Sequence, residues 1–292
     1  MNAQTRLLVF GEALFDCFSA EEQVLGGAPF NVAWHLQALH DDVHFLTRVG
    51  NDELGDTIIE AMAEWGMDLT LVQIDDEHPT GRVDVNIVDG EPNYSIVPDV
   101  AYDFIEINYA ISALPDEGLL YHGTLALRNE DSRHTLAQLS TRSDMSVFLD
   151  VNFREPWWSL AETQQYLLNA RWAKVNHHEL SALGYDSTDM KSDMLKLQAD
   201  FGLDQLIVTR GEAGAIVCDL NGQFHECKPK KVSNIIDTVG AGDAFTAMYI
   251  HGLAAGWPIP KILSLAQEFA CQVLTFRGAT SKYPEFYKAF IA

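Results

Sequence analysis

The sequence predicts an α/β fold, a three-layer sandwich with a mainly parallel central sheet and an additional small β-sheet. Three observations lead there. Short apolar runs alternate with helix-period stretches to the C-terminus, the rhythm of a parallel sheet covered on both faces. One segment, 82–97, breaks that rhythm with strict apolar/polar alternation, as in a two-stranded ribbon with one polar face. The length of 292 residues with 47% hydrophobic content suits one large domain, here taken as 1–292.

The elements follow in order. Residues 7–10 (LLVF) are a buried first strand ended by Gly11. A helix begins near Pro29, since proline suits a first helical turn, and runs to Leu39. Residues 43–49 form another strand. A helix over 53–65 stacks Leu54, Ile58 and Met62, with Gly66 as its stop. The ribbon 82–88 and 93–97 turns at Asp89-Gly90. Further strands are expected near 118–122, 146–151, 172–175 and 205–209. Ligands of such sheets lie beyond the carboxyl ends of the strands.

Composition narrows the function classes. Forty-two acidic against nineteen basic residues give a net charge of −23, which disfavours nucleic acid and anionic membranes as partners. Phosphates on a small ligand would have to be met locally, by backbone N–H groups, Mg²⁺ and a few placed cations. Cys17, Cys218, Cys227 and Cys271 lack metal-type spacing and read as reduced, mostly buried thiols of a cytoplasmic protein. The N-terminal residues read as neither signal peptide nor membrane anchor.

Four constellations could carry chemistry. The first is DTVGAGDAF, 237–245, ahead of an apolar stretch over 244–255 that reads as a buried helix. Its glycines would expose successive N–H groups at the helix N-terminus, an anion site. An aspartate there suits a group facing a hydroxyl that attacks phosphorus; the pattern equally fits a glycine turn with Asp243 as an ordinary N-cap. The second is Asp150, Asn152 and Arg154 after an apolar strand, expected to share one face, or else to form a solvated strand end. The third is NHHE, 176–179, where Asn176 and Glu179 share a helical face. Glu179 could hold a Mg²⁺-bound water or simply complete a cap. The adjacent histidines are expected to diverge, and zinc is rejected. The fourth is GGAPFN, 26–31, with Asp16 upstream, whose carboxylate could take two hydroxyl protons from a sugar; Asp16 and Asn31 read equally as a cap or surface group. His35 reads as a core histidine, and Trp157-Trp158 as packing.

Taken in order, these segments resemble the ribokinase-like (PfkB) family of carbohydrate kinases over almost the whole chain. VFGEALFD (9–16), GGAPFN (26–31), DVNFREPWW (150–158), NHHE (176–179), TRGEAG (209–214) and DTVGAGDAF (237–245) carry the resemblance. It implies that Asp243 is the catalytic base and that Gly240, Ala241 and Gly242 form the anion hole. It implies that Asp16, Gly27, Asn31 and Arg154 bind the sugar, and that Asn176, Glu179, Thr209 and Gly211 serve Mg-ATP. Asp237, with the backbones of Val239 and Ala279, would hold a monovalent cation such as K⁺. The implied small sheet, roughly 12–25 and 80–104, is a lid and a homodimer contact. GEAL, GGAP-x-N and the tryptophan after DxNxR resemble the fructokinase branch most. Phe30 replaces a smaller residue, and Phe269 an asparagine that many relatives carry near the adenine.

The expected activity is ATP-dependent phosphorylation of a monosaccharide, fructose first. The alternatives are a kinase of the same fold for ribose, a 2-keto-3-deoxy sugar acid or a nucleoside, and a non-catalytic sugar-binding protein. A nicotinamide oxidoreductase would need GxGxxG after the first strand, where this chain has GEALFD.

Overall fold

A computed structural model describes residues 5–19, 22–88, 91–107, 114, 117–141, 144–230, 232 and 234–291. The first strand, β1 (Arg6–Phe10), enters the main sheet, while β2 (Leu14–Cys17) and β3 (Gln23–Gly26) build a small one. Helix α1 (Ala28–Ala38) leads back to β4 (Asp42–Gly50), α2 (Glu53–Glu64) and β5 (Val72–Asp75). β6 (Gly81–Val88) and β7 (Glu91–Ile96) complete the small sheet; the expected Asp89-Gly90 turn between them lies outside the described residues. The alternation then continues through β8 (Glu117–His122), α3 (Glu130–Ser140), β9 (Asp144–Asp150), α4 (Leu160–Asn169), β10 (Trp172–Asn176), α5 (His177–Ala182), α6 (Met190–Phe201) and β11 (Gln205–Thr209). The chain closes with β12 (Ala215–Asp219), β13 (Phe224–Cys227), α7 (Ala241–Ala254), α8 (Ile259–Val273) and α9 (Pro284–Tyr287).

The nine-stranded sheet has the order β13-β12-β11-β10-β9-β8-β1-β4-β5. It is parallel from β5 to β11, and its last two pairings are antiparallel. β1 shows why its sequence is continuously apolar. Leu7 and Val9 enter the core on one face, while Leu8 and Phe10 enter the core on the other, so both alternating sets are buried. In the four-stranded sheet, order β3-β2-β6-β7, Val83 and Val85 are buried while Arg82, on the opposite face, is exposed, the alternation read from 82–88.

Helix α7 is apolar nearly all round because it is buried from Ala244 to Ile250 and packs against both α1 and α8. It starts at Ala241 rather than Ala244, so Gly240 is the N-cap and Asp243 sits inside the first turn. The N-cap reading of Asp243 is thereby excluded. Helix α2 is stopped as expected by Gly66 at φ 75° and is capped by Asp52, which accepts from Gly55 N at 2.9 Å. Of the four free cysteines only Cys218 is buried, fewer than composition suggested. Among the described residues no helix is long and apolar enough to cross a membrane.

β1 lies between the β4–β5 wing and the β8–β11 wing, where the direction of strand addition reverses. A crevice opens at such a point beyond the carboxyl ends of the strands. The segments that leave β1, β9, β10 and β11 there carry most of the motifs.

Candidate active site

Gly240 has φ 77°, and a Cβ at this position would lie 2.3 Å from Ala279 Cβ. Only glycine permits both the left-handed turn and that close approach. One turn into α7, the half-buried Asp243 receives a 2.8 Å hydrogen bond at Oδ2 from Asn31 Nδ2. Burial pushes the Asp243 carboxyl up to about 6, against the opposing pull of the Asn31 hydrogen bond and of the Lys174 and Arg154 charges. The carboxylate is thus ionised at neutral pH while holding a proton affinity well above that of a solvated aspartate.

Asp243 faces a cavity of about 420 Å³. Strand ends, the 26–31 turn and the small sheet all contribute walls. Glu12, Asp16 and Asp243 supply carboxylates, and Arg154 a guanidinium. Burial raises the Asp16 pKa, and Arg154 opposes that rise. Gly27, at φ 106°, lets α1 approach so closely that a Cβ would sit 2.6 Å from Glu12 O. Gly27, Asn31, Asp16 and Arg154 therefore meet in one place.

A second cavity of about 590 Å³ lies along β11 and α8, with Thr209, Gly211, Ala241 and Phe245 in its wall. The two cavities share Thr238 and Gly242. Asn176 and Glu179 line neither. Asn176 Oδ1 accepts from Glu179 N at 2.9 Å, and Glu179 Oε2 accepts from Asn176 N at 2.7 Å, the reciprocal cap at the start of α5. Glu179 Oε1 also accepts from Phe153 N at 3.0 Å, tying that cap to the loop that carries Arg154. The rings of His177 and His178 do not diverge; their centroids are 3.8 Å apart.

Asp237 joins the two strips expected to hold a cation. Its Oδ1 accepts from Val239 N at 3.1 Å and its Oδ2 from Gly278 N at 2.9 Å. The Ala279 carbonyl lies 3.1 Å from His35 Nε2. A carbonyl only accepts, so Nε2 carries the proton and Nδ1 accepts from Tyr287 OH at 3.0 Å. Burial drives the His35 pKa down to about 3, which keeps the ring neutral; it is a core histidine.

Two expectations are corrected. Asp150, Asn152 and Arg154 do not share a face, because β9 ends at Asp150 and Asn152 adopts φ 39°. Asn152 and Arg154 reach the cavity, whereas Asp150 turns beneath α7. There it binds Lys174 Nζ at 2.8 and 2.9 Å and accepts from Thr246 Oγ1 at 2.8 Å. Phe269 lies in neither cavity. It is fully buried against His35, Phe286 and Phe290, while its neighbours Gln267, Ala270 and Cys271 line the larger cavity. Phe30 is likewise core, packed on Trp34 and Phe45.

Residues 4–285 match the family described as pfkB family carbohydrate kinase. The chain belongs to that family. This carbohydrate kinase is 30% identical to a fructokinase from Klebsiella pneumoniae, over 96% of each chain. It resembles the crystal structure of a fructokinase from Vibrio cholerae O395 bound to fructose, ADP and calcium ion, with a TM-score of 0.84, 24% identity and full coverage of both chains. An aminoimidazole riboside kinase from Salmonella enterica superposes with a TM-score of 0.82 at 22% identity, covering 98% of this chain and 100% of that one. The protein is therefore a phosphotransferase that acts on a carbohydrate.

Sequence reasoning missed three residues of this kinase. Thr238 lies within the quoted DTVGAGDAF motif, yet only the structure places it in both cavities. Lys174 looked like an ordinary strand residue in WAKVN, although a lysine inside an apolar strand is a signal of a buried partner. Glu12 passed as part of GEAL. Its position right after the first strand's terminal glycine was the available clue.

Proposed function

We propose that this kinase transfers the terminal phosphoryl group of Mg-ATP to a primary hydroxyl of a neutral monosaccharide, with D-fructose as the preferred acceptor. The observation that carries this reading is the junction of the two cavities at Thr238 and Gly242, beside the carboxylate of Asp243. The sugar occupies the smaller cavity against Asp16, Gly27, Asn31 and Arg154. The nucleotide lies in the larger one along Thr209 and Gly211.

Asp243 accepts the proton of the attacking hydroxyl, and Asn31 holds its carboxylate in place. N–H groups of residues 240–242, at the positive end of α7, stabilise charge on the transferred phosphoryl group. The Lys174–Asp150–Thr246 cluster keeps that turn rigid from below. Phosphoryl transfer depends mostly on such positioning and electrostatics. The four strands around 12–25 and 80–104 act as a lid that excludes water from the acceptor, and as the contact for a homodimer.

Mg²⁺, when bound to the nucleotide, neutralises phosphate charge. Among the described residues no group of three His, Cys, Asp or Glu side chains could hold a metal. Glu179, with Asn176 beside it, would hold the ion through a water, from the cap at the start of α5 outside both cavities. A monovalent cation would sit between Asp237 and the carbonyls of Val239 and Ala279.

The preference for fructose rests on the fructokinase relatives and on charge. The carboxylates of Asp16 and Asp243, with the carboxyl group of Glu12, outnumber the one guanidinium lining the acceptor cavity and favour an uncharged polyol over a sugar acid. The test is ADP release with fructose, ribose, tagatose, 2-keto-3-deoxygluconate and adenosine, with and without K⁺. D-fructose should give the highest kcat/KM. A clear preference for adenosine or 2-keto-3-deoxygluconate would contradict the reading, as would no turnover with any of them.

A further inference from the structure

The acceptor cavity contains a carboxyl group that the proposed mechanism does not use. Glu12 follows Gly11 at the end of β1. Its backbone is held from two sides: a Cβ on Gly11 would lie 2.5 Å from Pro29 Cγ, and one on Gly27 2.6 Å from Glu12 O. The side chain lines the acceptor cavity and is 4% exposed, and Oε2 has no hydrogen-bond partner. An unpaired buried carboxylate is costly, and it persists where a ligand or a proton completes it.

The neighbouring cations do not neutralise it. Arg128 gives Nε and Nη2 to the two oxygens of Asp103 at 2.7 and 2.8 Å, and Nη2 to Val97 O at 2.6 Å. Arg154 is shared among Glu12, Asp16 and Asp243. The cavity is also rich in acceptors: Asp16 and Asp243 can only accept when ionised, and Asn31 Nδ2 already binds Asp243. Each sugar hydroxyl offers one donor but two acceptor sites, so a protonated Glu12 would add a donor to those that Arg154, Asn152 and Thr238 bring to the cavity wall.

We propose that Glu12 is a specificity-determining residue of this kinase, donating a hydrogen bond in its protonated form to a ring or hydroxyl oxygen of a neutral sugar. The proposal rests on the sugar-kinase reading of the cavity. Burial raises the Glu12 carboxyl to about 7, against the pull of its own backbone N–H and of the Arg154 and Arg128 charges and with Asp243 adding to the rise, so the proton is bound below neutrality and lost above it. Asp16 from β2, Asp243 from α7, Arg154 from the β9 loop, Arg128, Tyr102 and Tyr121 are the other titratable or charged groups facing it.

The experiment is calorimetric titration of D-fructose into wild type, Glu12→Gln and Glu12→Met between pH 6 and 8.5, with thermal melting and KM for ATP measured alongside. Glu12→Gln keeps a neutral donor and every other titrating group. Wild-type affinity should weaken above pH 7, approaching about tenfold per pH unit, and Glu12→Gln should lose that dependence. Glu12→Met should bind D-fructose roughly tenfold or more weakly at pH 6.5, with KM for ATP unchanged. Affinity that is flat with pH in wild type, or wild-type binding by Glu12→Met, overturns the proposal while leaving the kinase reading intact. So does a Glu12→Gln variant that melts lower yet binds and titrates like wild type, which would make Glu12 a structural partner of Arg128. Failure of wild type to bind or phosphorylate D-fructose overturns the fructose reading and this proposal together.

Discussion

Asn31 Nδ2 donates a 2.8 Å hydrogen bond to Asp243 Oδ2 across 212 positions of sequence, linking the first turn of α1 to the first turn of α7. It fixes the carboxylate and favours its ionised form. Removing the donor in Asn31→Ala should raise the Asp243 pKa, since only the charged form gains from the bond. The acid limb of kcat/KM, expected near 6 in the wild type, should then move up by about half a unit to one unit. A pH–rate profile from 5 to 9 checks this.

Gly240 and Gly242 separate folding from chemistry. Gly240→Ala introduces a Cβ at φ 77° and 2.3 Å from Ala279 Cβ, so it should cost at least about 2 kcal/mol of stability as well as activity. Around Gly242 the nearest group to an added Cβ is Lys174 Nζ at 3.9 Å, and the position is helical. Gly242→Ala should melt at or above the wild-type temperature, yet turn over more slowly because residue 242 lines both cavities. Thermal melts paired with ADP-release rates distinguish the two.

The ion pair beneath α7 makes a stability prediction. Lys174 and Asp150 are buried, with Lys174 Nζ 2.8 Å from Asp150 Oδ2. Burial alone would lower the Lys174 pKa, yet Asp150 holds it above the ordinary lysine range. Lys174→Met leaves Asp150 charged and unpaired and should destabilise by about 3–5 kcal/mol. Lys174→Met combined with Asp150→Leu should recover much of that loss. Chemical denaturation of both variants reads the difference.

The architecture was legible wherever one local rule governs an element. The central strands announced themselves as apolar runs, the 82–97 ribbon by its alternation, and α2 by its spacing and Gly66. The glycine turn before α7 and the GGAPFN turn marked the two halves of the site. What stayed hidden depends on partners distant in sequence. Asp150 was expected to point with Arg154, because nothing in DVNFR reveals that Lys174 and Thr246 draw the carboxylate inward. Phe269 was placed near the adenine by analogy, while its ring is held by α9, whose docking no local pattern states. β12 and β13 were missed because antiparallel strands at a sheet end do not follow the strand–helix rhythm.

Asp243 also links function to stability. Its folded-state pKa, about 6, lies above the usual 3.8, so the folded protein binds this proton more tightly than the unfolded chain. That contribution favours folding at low pH and is lost as pH rises through about 6. Asp243→Asn escapes the loss and should be more stable than wild type at pH 8 by about 1–2 kcal/mol, a difference that fades toward pH 4. Melting curves at the two pH values test the sign.

The most direct measurement takes that same variant through single-turnover phosphorylation of D-fructose at saturating Mg-ATP, alongside calorimetric binding of the sugar. If Asp243 takes the hydroxyl proton, phosphoryl transfer in Asp243→Asn should slow by about 10²-fold or more, with sugar affinity within a few-fold of wild type. Transfer at close to the wild-type rate would contradict the account.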